Sequence, residues 1–348
     1  MTRLLFALAF CLSTALLSAQ SSHAASRAHQ HAFPVTVVDD HGFRIHLTRA
    51  PSRILSLDPR DTETLFALGL ERKLVGDGSK FSEGATGIVT SAGKPRDFRY
   101  PSEWPSRLGR DYPIKAPQLT HIEGGYQGSD FNVEAIVQLQ PQLVIASYSK
   151  SEESTFAQMR SVGLKVMVLD PSNLKSILHD IALVGKATGT STQARQVVGT
   201  MTGQLASLRT SLAHVHSHPR VYYEVDGTNP TEPYTAGPGT FIDNGIHLVK
   251  GTNVADTVKS CSGTLCYPQF NLEALVQLNP QVIVLGDAAY GESPAKVKAR
   301  SGWQTIDAVR TGRIYPFDDD LISRAGPRII AGLRELARIV HTKAFHGK

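Results

Sequence analysis

The sequence predicts an α/β fold: two lobes, each built on a parallel central sheet, joined by a long rigid helix. Three observations predict it. The segment Phe131-Asn-Val-Glu-Ala-Ile-Val-Gln-Leu-Gln-Pro-Gln-Leu-Val-Ile recurs as Phe270-Asn-Leu-Glu-Ala-Leu-Val-Gln-Leu-Asn-Pro-Gln-Val-Ile-Val, so one unit occurs twice. Each copy ends in a continuous apolar run, which suits a parallel strand covered on both faces. Between the copies, residues 192–216 carry apolar side chains at helical spacing with few breakers. Each half is therefore read as a Rossmann-like lobe.

At the N-terminus, Arg3 is followed by an apolar run from Leu4 to Leu17 and by Ser22-His23-Ala24. This is the pattern of a secretory signal peptide over 1–24; the run is shorter than the ~20 residues of a membrane span. Cys11 lies inside that run and makes a poor lipidation cysteine. The first lobe is placed at 33–171. It opens with a strand at Arg53-Ile-Leu-Ser-Leu57, and Gly, Pro, Ser and Arg dominate 76–110, which reads as a long surface loop. In the repeat, Asn132 caps a short helix, Pro141 stops it, and a buried strand follows from Leu143 to Ala146. Residues 165–169 form the last strand. The connector is placed at 172–218, where Val197, Val198, Met201, Leu205, Leu208, Leu212 and Val215 mark an amphipathic helix. At ~1.5 Å per residue such a helix crosses from one lobe to the other and resists large hinge motion. The second lobe, 219–341, repeats the scheme: Arg220-Val-Tyr-Tyr-Glu-Val225 as a strand, Asn271 as a cap, Pro280 as a stop, Val282 to Leu285 and 313–317 as strands.

The 348 residues carry a formal net charge of +5 with no long basic run and no basic-aromatic interleaving, which excludes nucleic acid as a partner. Cys261 and Cys266 are the only cysteines beyond the leader, and in an exported chain they read as a local disulfide; zinc would need two more ligands nearby. Ser147-Tyr-Ser-Lys150 and Ser172-Asn-Leu-Lys175 match a serine-x-x-lysine pattern, but its partner motifs are missing. There is no phosphate-cradling glycine loop with a lysine, and Gly237-Pro-Gly239 before Thr240 reads as a helix entrance. The chain is accordingly read as no enzyme, with no cofactor and no metal. His214, His216 and His218 alternate at the end of the connector, where imidazoles point in different directions and meet the helix dipole.

Tyrosines stand at loops where strands would end: Tyr112 and Tyr126 in the first half, Tyr234 and Tyr267 in the second. Ligands bind at such loops in open α/β sheets, and amphipathic rings suit a large, flat, partly apolar ligand. The repeated Asn-x-Glu-x-Ile/Leu-Val-x-Leu-x-Pro unit, the connector, and Ser323-Arg-Ala-Gly-Pro-Arg-Ile-Ile330 together resemble the helical-backbone periplasmic binding proteins for cobalamin, ferric siderophores and haem. Asp111-Tyr-Pro113, Tyr126-Gln-Gly128, Asn229-Pro230 with Tyr234-Thr-Ala-Gly237, and Tyr267-Pro-Gln269 are most similar to the pocket motifs of the cobalamin binders. The resemblance implies a cleft with Tyr112 and Tyr126 on one wall, Tyr234 and Tyr267 on the other, and a polar contact from Asp320 or Arg324. It implies a monomer in the periplasm that hands its ligand, cobalamin or a ferric chelate, to the permease of an ABC importer. It also implies that Glu134 and Glu273 dock on arginines of that permease, one from each lobe. Tyrosine replaces tryptophan and phenylalanine positions of the pocket at 126, 234 and 267, and 76–110 looks inserted, so haem or a ferric siderophore stays open beside cobalamin. An exported hydrolase using Ser147 and Lys150 is the reading from another class.

Overall fold

The structure, a computed structural model, describes residues 33–77, 120–122, 131–148 and 152–345. A short antiparallel hairpin, β1 (Val35–Val38) and β2 (Arg44–Leu47), leads into the first sheet. That sheet contains β3 (Ile54–Ser56), followed by α1 (Pro59–Ala67), then β4 (Leu74–Asp77) and β5 (Thr120–His121). The first repeat copy supplies α2 (Val133–Gln138) and β6 (Leu143–Ser147); α3 (Glu153–Ser161) and β7 (Val166–Leu169) complete the lobe. All pairings are parallel in the order β5-β4-β3-β6-β7. Gly76 and Asp77 belong to β4, so the loop expected from residue 76 starts later; its remainder to 110 lies outside the described residues.

Two helices, not one, join the sheets: α4 (Leu174–Thr188) and α5 (Ser191–Leu212). Gly189 takes the left-handed conformation at φ +77° that lets the chain double back between them. The 22 residues of α5 span ~33 Å. The helix expected over 192–216 thus ends four residues early. Val215 kept the apolar rhythm going in the sequence, but it is buried beyond the helix, its N–H bonded to the Leu212 carbonyl at 3.0 Å.

The second sheet has β8 (Arg220–Asp226), β9 (Tyr234–Thr235), α6 (Phe241–Leu248) and β10 (Thr252–Asn253). The second repeat copy then forms α7 (Leu272–Leu278) and β11 (Val282–Leu285). After α8 (Pro294–Ala299) and α9 (Asp307–Thr311) come β12 (Ile314–Pro316) and α10 (Ile329–Val340). The order is β10-β8-β11-β12, parallel, with β9 antiparallel on β8.

The repeat extends to hydrogen bonds. Ile54 pairs with Leu143 as Val221 pairs with Val282, and Val144 with Val166 as Ile283 with Ile314. Asn132 Oδ1 accepts from Ala135 N at 3.0 Å, and Asn271 Oδ1 from Ala274 N at 2.8 Å. Both helices end in a left-handed residue, Gln140 (φ +46°) and Asn279 (φ +44°), just before the proline. The Arg53 guanidinium donates to the Leu139 and Gln140 carbonyls, and that of Arg220 to those of Leu278 and Asn279. A cation thereby meets the negative end of each helix dipole.

Among the described residues, three apolar clusters hold the molecule together. The outer faces of the sheets have separate, matching cores: Leu55, Phe131, Ile136, Val144 and Val166 in one, Tyr222, Phe270, Leu275, Ile283 and Ile314 in the other. The inner faces share one continuous core, in which α4, α5 and α10 bury Ile181, Met201, Leu208 and Leu333 between the sheets. Burial is worth ~25 cal/mol per Å², so this shared core ties the lobes firmly.

Candidate ligand cleft

In each sheet the strand order reverses beside the first strand, between β3 and β6 and between β8 and β11. Crevices at such points, outside the carboxyl ends of the strands, are where open α/β sheets bind ligands. The two carboxyl edges meet through Glu63 of α1 and the segment leading into α10. Arg328 N donates to Glu63 Oε1 at 2.9 Å, and the guanidinium Nε lies 3.0 Å from Oε2, with both side chains buried. Burial raises the Glu63 carboxyl above its ordinary range, and Arg328 opposes that rise.

On the first-lobe side, Asp58 caps α1 by accepting from Arg60 N at 2.9 Å. Arg60 donates to Ser147 Oγ and, at 3.1 Å, to the Leu169 carbonyl; Ser147 Oγ donates to Asp61 at 3.1 Å. Burial, then the Asp58 charge, push the Asp61 carboxyl far up. Ser147 is therefore a buried link in an acid-arginine network, and Lys150, its partner in the hydrolase reading, lies outside the described residues. So do Tyr112 and Tyr126.

On the second-lobe side, the 234–237 segment pairs with 266–269: Thr235 N bonds to Pro268 O at 3.0 Å and Gly237 N to Cys266 O at 2.8 Å. This ribbon carries Tyr234, 40 % exposed, on one side and half-buried Tyr267 on the other. Burial, then the charge of Asp319, push the Tyr267 hydroxyl up to about 12, so it remains a neutral donor. Asp319 accepts from Tyr223 OH at 2.7 Å. Next to it Asp320 pairs with Arg324 at 2.8 Å, both partly exposed. Cys261 and Cys266 form a disulfide whose loop packs on the ribbon through Gly263 N to Pro238 O at 2.8 Å. Thr240 caps α6 by accepting from Asp243 N at 3.1 Å, the entrance expected of the Gly-Pro-Gly turn. Behind the ribbon, Arg300 forms a two-pronged pair with buried Glu224, at 2.6 and 2.8 Å. Sequence reasoning missed the Glu63–Arg328 and Glu224–Arg300 pairs, whose partners are too far apart in the chain to leave a local signal.

Glu134 and Glu273 are exposed in the first turns of α2 and α7, at equivalent places in the repeat. His214, His216 and His218 are exposed beyond the end of α5 and, among the described residues, do not converge as a set of ligands. No described helix is long and apolar enough to cross a membrane.

With this geometry the chain is a two-lobed binding protein, and comparison places it: residues 54–321 match the periplasmic binding protein family, to which the chain belongs. That family is one of solute-binding proteins. The chain is 27 % identical over 316 residues to an uncharacterized ABC transporter substrate-binding lipoprotein of Bacillus subtilis, covering 90 % of this chain and 87 % of the relative. To a cobalamin-binding protein of Halobacterium salinarum it is 29 % identical over 315 residues, covering 89 % and 74 %. The fold is that of the periplasmic vitamin B12 binding protein of Vibrio cholerae, at TM-score 0.64 and 22 % identity, over 85 % of this chain and 99 % of that one.

Proposed function

We propose that the protein is the periplasmic component of an ABC importer that captures cobalamin between its lobes and delivers it to the permease. The observation that carries this reading is the pairing of two equivalent carboxyl strand edges across the Glu63–Arg328 contact, one of them bearing the Tyr234–Tyr267 ribbon beside Asp320 and Arg324. A flat macrocycle with polar edges takes ring contacts from the tyrosines and hydrogen bonds from their hydroxyls and the charged pair. For the facing wall the family resemblance implies Tyr112 and Tyr126, which lie outside the described residues. The similarity to a cobalamin-binding relative along most of both chains supports the choice of ligand.

In this reading 1–24 is the signal peptide, 33–171 and 219–341 are the lobes, 172–218 is the helical link, and the protein works as a monomer. Glu134 and Glu273 present one carboxylate per lobe to a two-fold symmetric permease; exposed complementary charge steers encounter and fixes orientation.

Titration calorimetry with cyanocobalamin, haem and a panel of ferric siderophores tests the proposal, repeated with Tyr126→Ala and Tyr267→Ala. One-to-one binding of cyanocobalamin, weakened by either substitution, is the expected result. Silence with cyanocobalamin and binding of a ferric chelate or haem would replace the ligand while keeping the importer role.

A further inference from the structure

Helix α4 carries a carboxylate that the proposed solute cleft does not use. Asp180 is 5 % exposed, yet neither of its side-chain oxygens has a hydrogen-bond partner among the described residues. An unsatisfied buried polar group costs ~1–3 kcal/mol, and more when charged, so few persist without a reason. The surroundings deepen the deficit. Asp40, in the turn between β1 and β2, brings a second carboxylate, and His179 an imidazole; one ligand atom from each of the three lies within 4.8 Å of the others. Burial first, then the charges of Asp40 and Asp61, push the Asp180 carboxyl up to about 8.

The neighbouring cations are committed elsewhere. Arg60 donates to Leu169 O and Ser147 Oγ. His41, beside Asp40, pairs with Asp170 at 3.5 Å and stacks on Tyr148 with ring centroids 4.1 Å apart. The other three-residue group of this kind among the described residues is different. There His247 Nε2 already sits between Asp243 (3.3 Å) and Asp256 (3.1 Å), and buried Asp243 accepts from Gly239 N and Asn253 Nδ2, each at 2.8 Å. The oxygens of Asp243 already have donors; those of Asp180 do not.

We propose that Asp40, His179 and Asp180 form a binding site for a divalent transition-metal cation, Zn²⁺ in the first place, that pins the β1–β2 turn to α4. Two carboxylates neutralise the ion, and the imidazole selects a transition metal over Ca²⁺ or Mg²⁺. Three protein ligands leave room for water in the remaining position. The site is separate from the ribbon and independent of which solute the cleft holds.

The test is calorimetric titration of the EDTA-stripped, tag-free protein with Zn²⁺, Mn²⁺ and Ca²⁺ in turn, with thermal melts alongside. His179→Gln, at an exposed position that keeps the fold, and Asp180→Asn remove ligands; His247→Gln is the control. One Zn²⁺ per chain should bind and raise the melting temperature. Both ligand variants should weaken it by at least the ~10–100-fold that loss of a mere outer partner costs a metal site, and His247→Gln should leave it unchanged. Absence of Zn²⁺ binding, equal affinity for Ca²⁺, or binding that survives His179→Gln and Asp180→Asn would overturn the proposal.

Discussion

The two lobes share one scaffold up to the carboxyl ends of their strands and diverge beyond it. At the amino ends, Arg53 and Arg220 clamp the same helix carbonyls, and Gln142 N and Gln281 N both bond to the carbonyl of that arginine at 2.8 Å. At the carboxyl ends, register places Ser56 and Ser147 of the first lobe opposite Tyr223 and Gly286 of the second. The first lobe fills its edge with small hydroxyls, Arg60 and the carboxylate Asp61. The second fills the same space with a tyrosine ring, and a Cβ on Gly286 would lie 2.5 Å from Tyr223 Cε1. Its buried Glu224 is matched by Arg300, whereas Asp180 of the first lobe has no such match. The repeat therefore supplies a frame, and specificity is free to reside in whatever each lobe hangs on its carboxyl edge.

The comparison is broken most severely by Arg300→Ala. It leaves Glu224 buried without its guanidinium partner and should cost ~3–5 kcal/mol in urea unfolding. Glu63→Ala, which strands Arg328 at the contact between lobes, should cost ~3 kcal/mol or more, and a double change with Arg328→Met should recover part of the loss; a double mutant as unstable as the sum would contradict the pairing. Exchanging edge residues sharpens the contrast. Gly286→Ser forces the second lobe to accept the first lobe's residue against Tyr223 and should cost ~1–3 kcal/mol by overpacking, while Ser147→Gly loses the hydrogen bond it gives Asp61 and the one it accepts from Arg60, ~1 kcal/mol each. In chelator, wild-type stability should fall as pH rises from about 4 towards 8, because the folded state holds the Asp180 proton up to about 8 while the unfolded chain releases it near its ordinary value of 3.8. Asp180→Asn should remove its share of that slope while those of Asp61, at about 8, and Asp287, at about 7, remain, and should change nothing relative to wild type below pH ~4, where both states are protonated. Smallest is the shared element: Asn132→Ala and Asn271→Ala should each cost ~1 kcal/mol, alike in both lobes.

Much of the frame was legible in the sequence because its signals are local. The cap asparagines, the proline stops and the apolar strands of the repeat lie within fifteen residues of one another, and each appears where periodicity puts it. The helical link was legible as a helix but not as a pair, although α4 carries its own signals in the Asn173 capping box, the apolar spacing of Ile177, Ile181 and Val184, and Gly189. The site was less legible. Tyr234 and Tyr267 share a ribbon only through the pairing of their segments, and Glu63 finds Arg328, and Asp40 finds Asp180, across long stretches of chain. No pattern of spacing encodes such meetings; they follow from packing two sheets against a common core.

That common core is the basis of the central claim, that the solute is held between two carboxyl edges whose spacing α4, α5 and the Glu63–Arg328 pair keep nearly constant. Small-angle X-ray scattering of the protein with and without its saturating solute tests it most directly. The account predicts superimposable profiles, with the radius of gyration unchanged within error; a contraction matching hinge rotation of tens of degrees would contradict it.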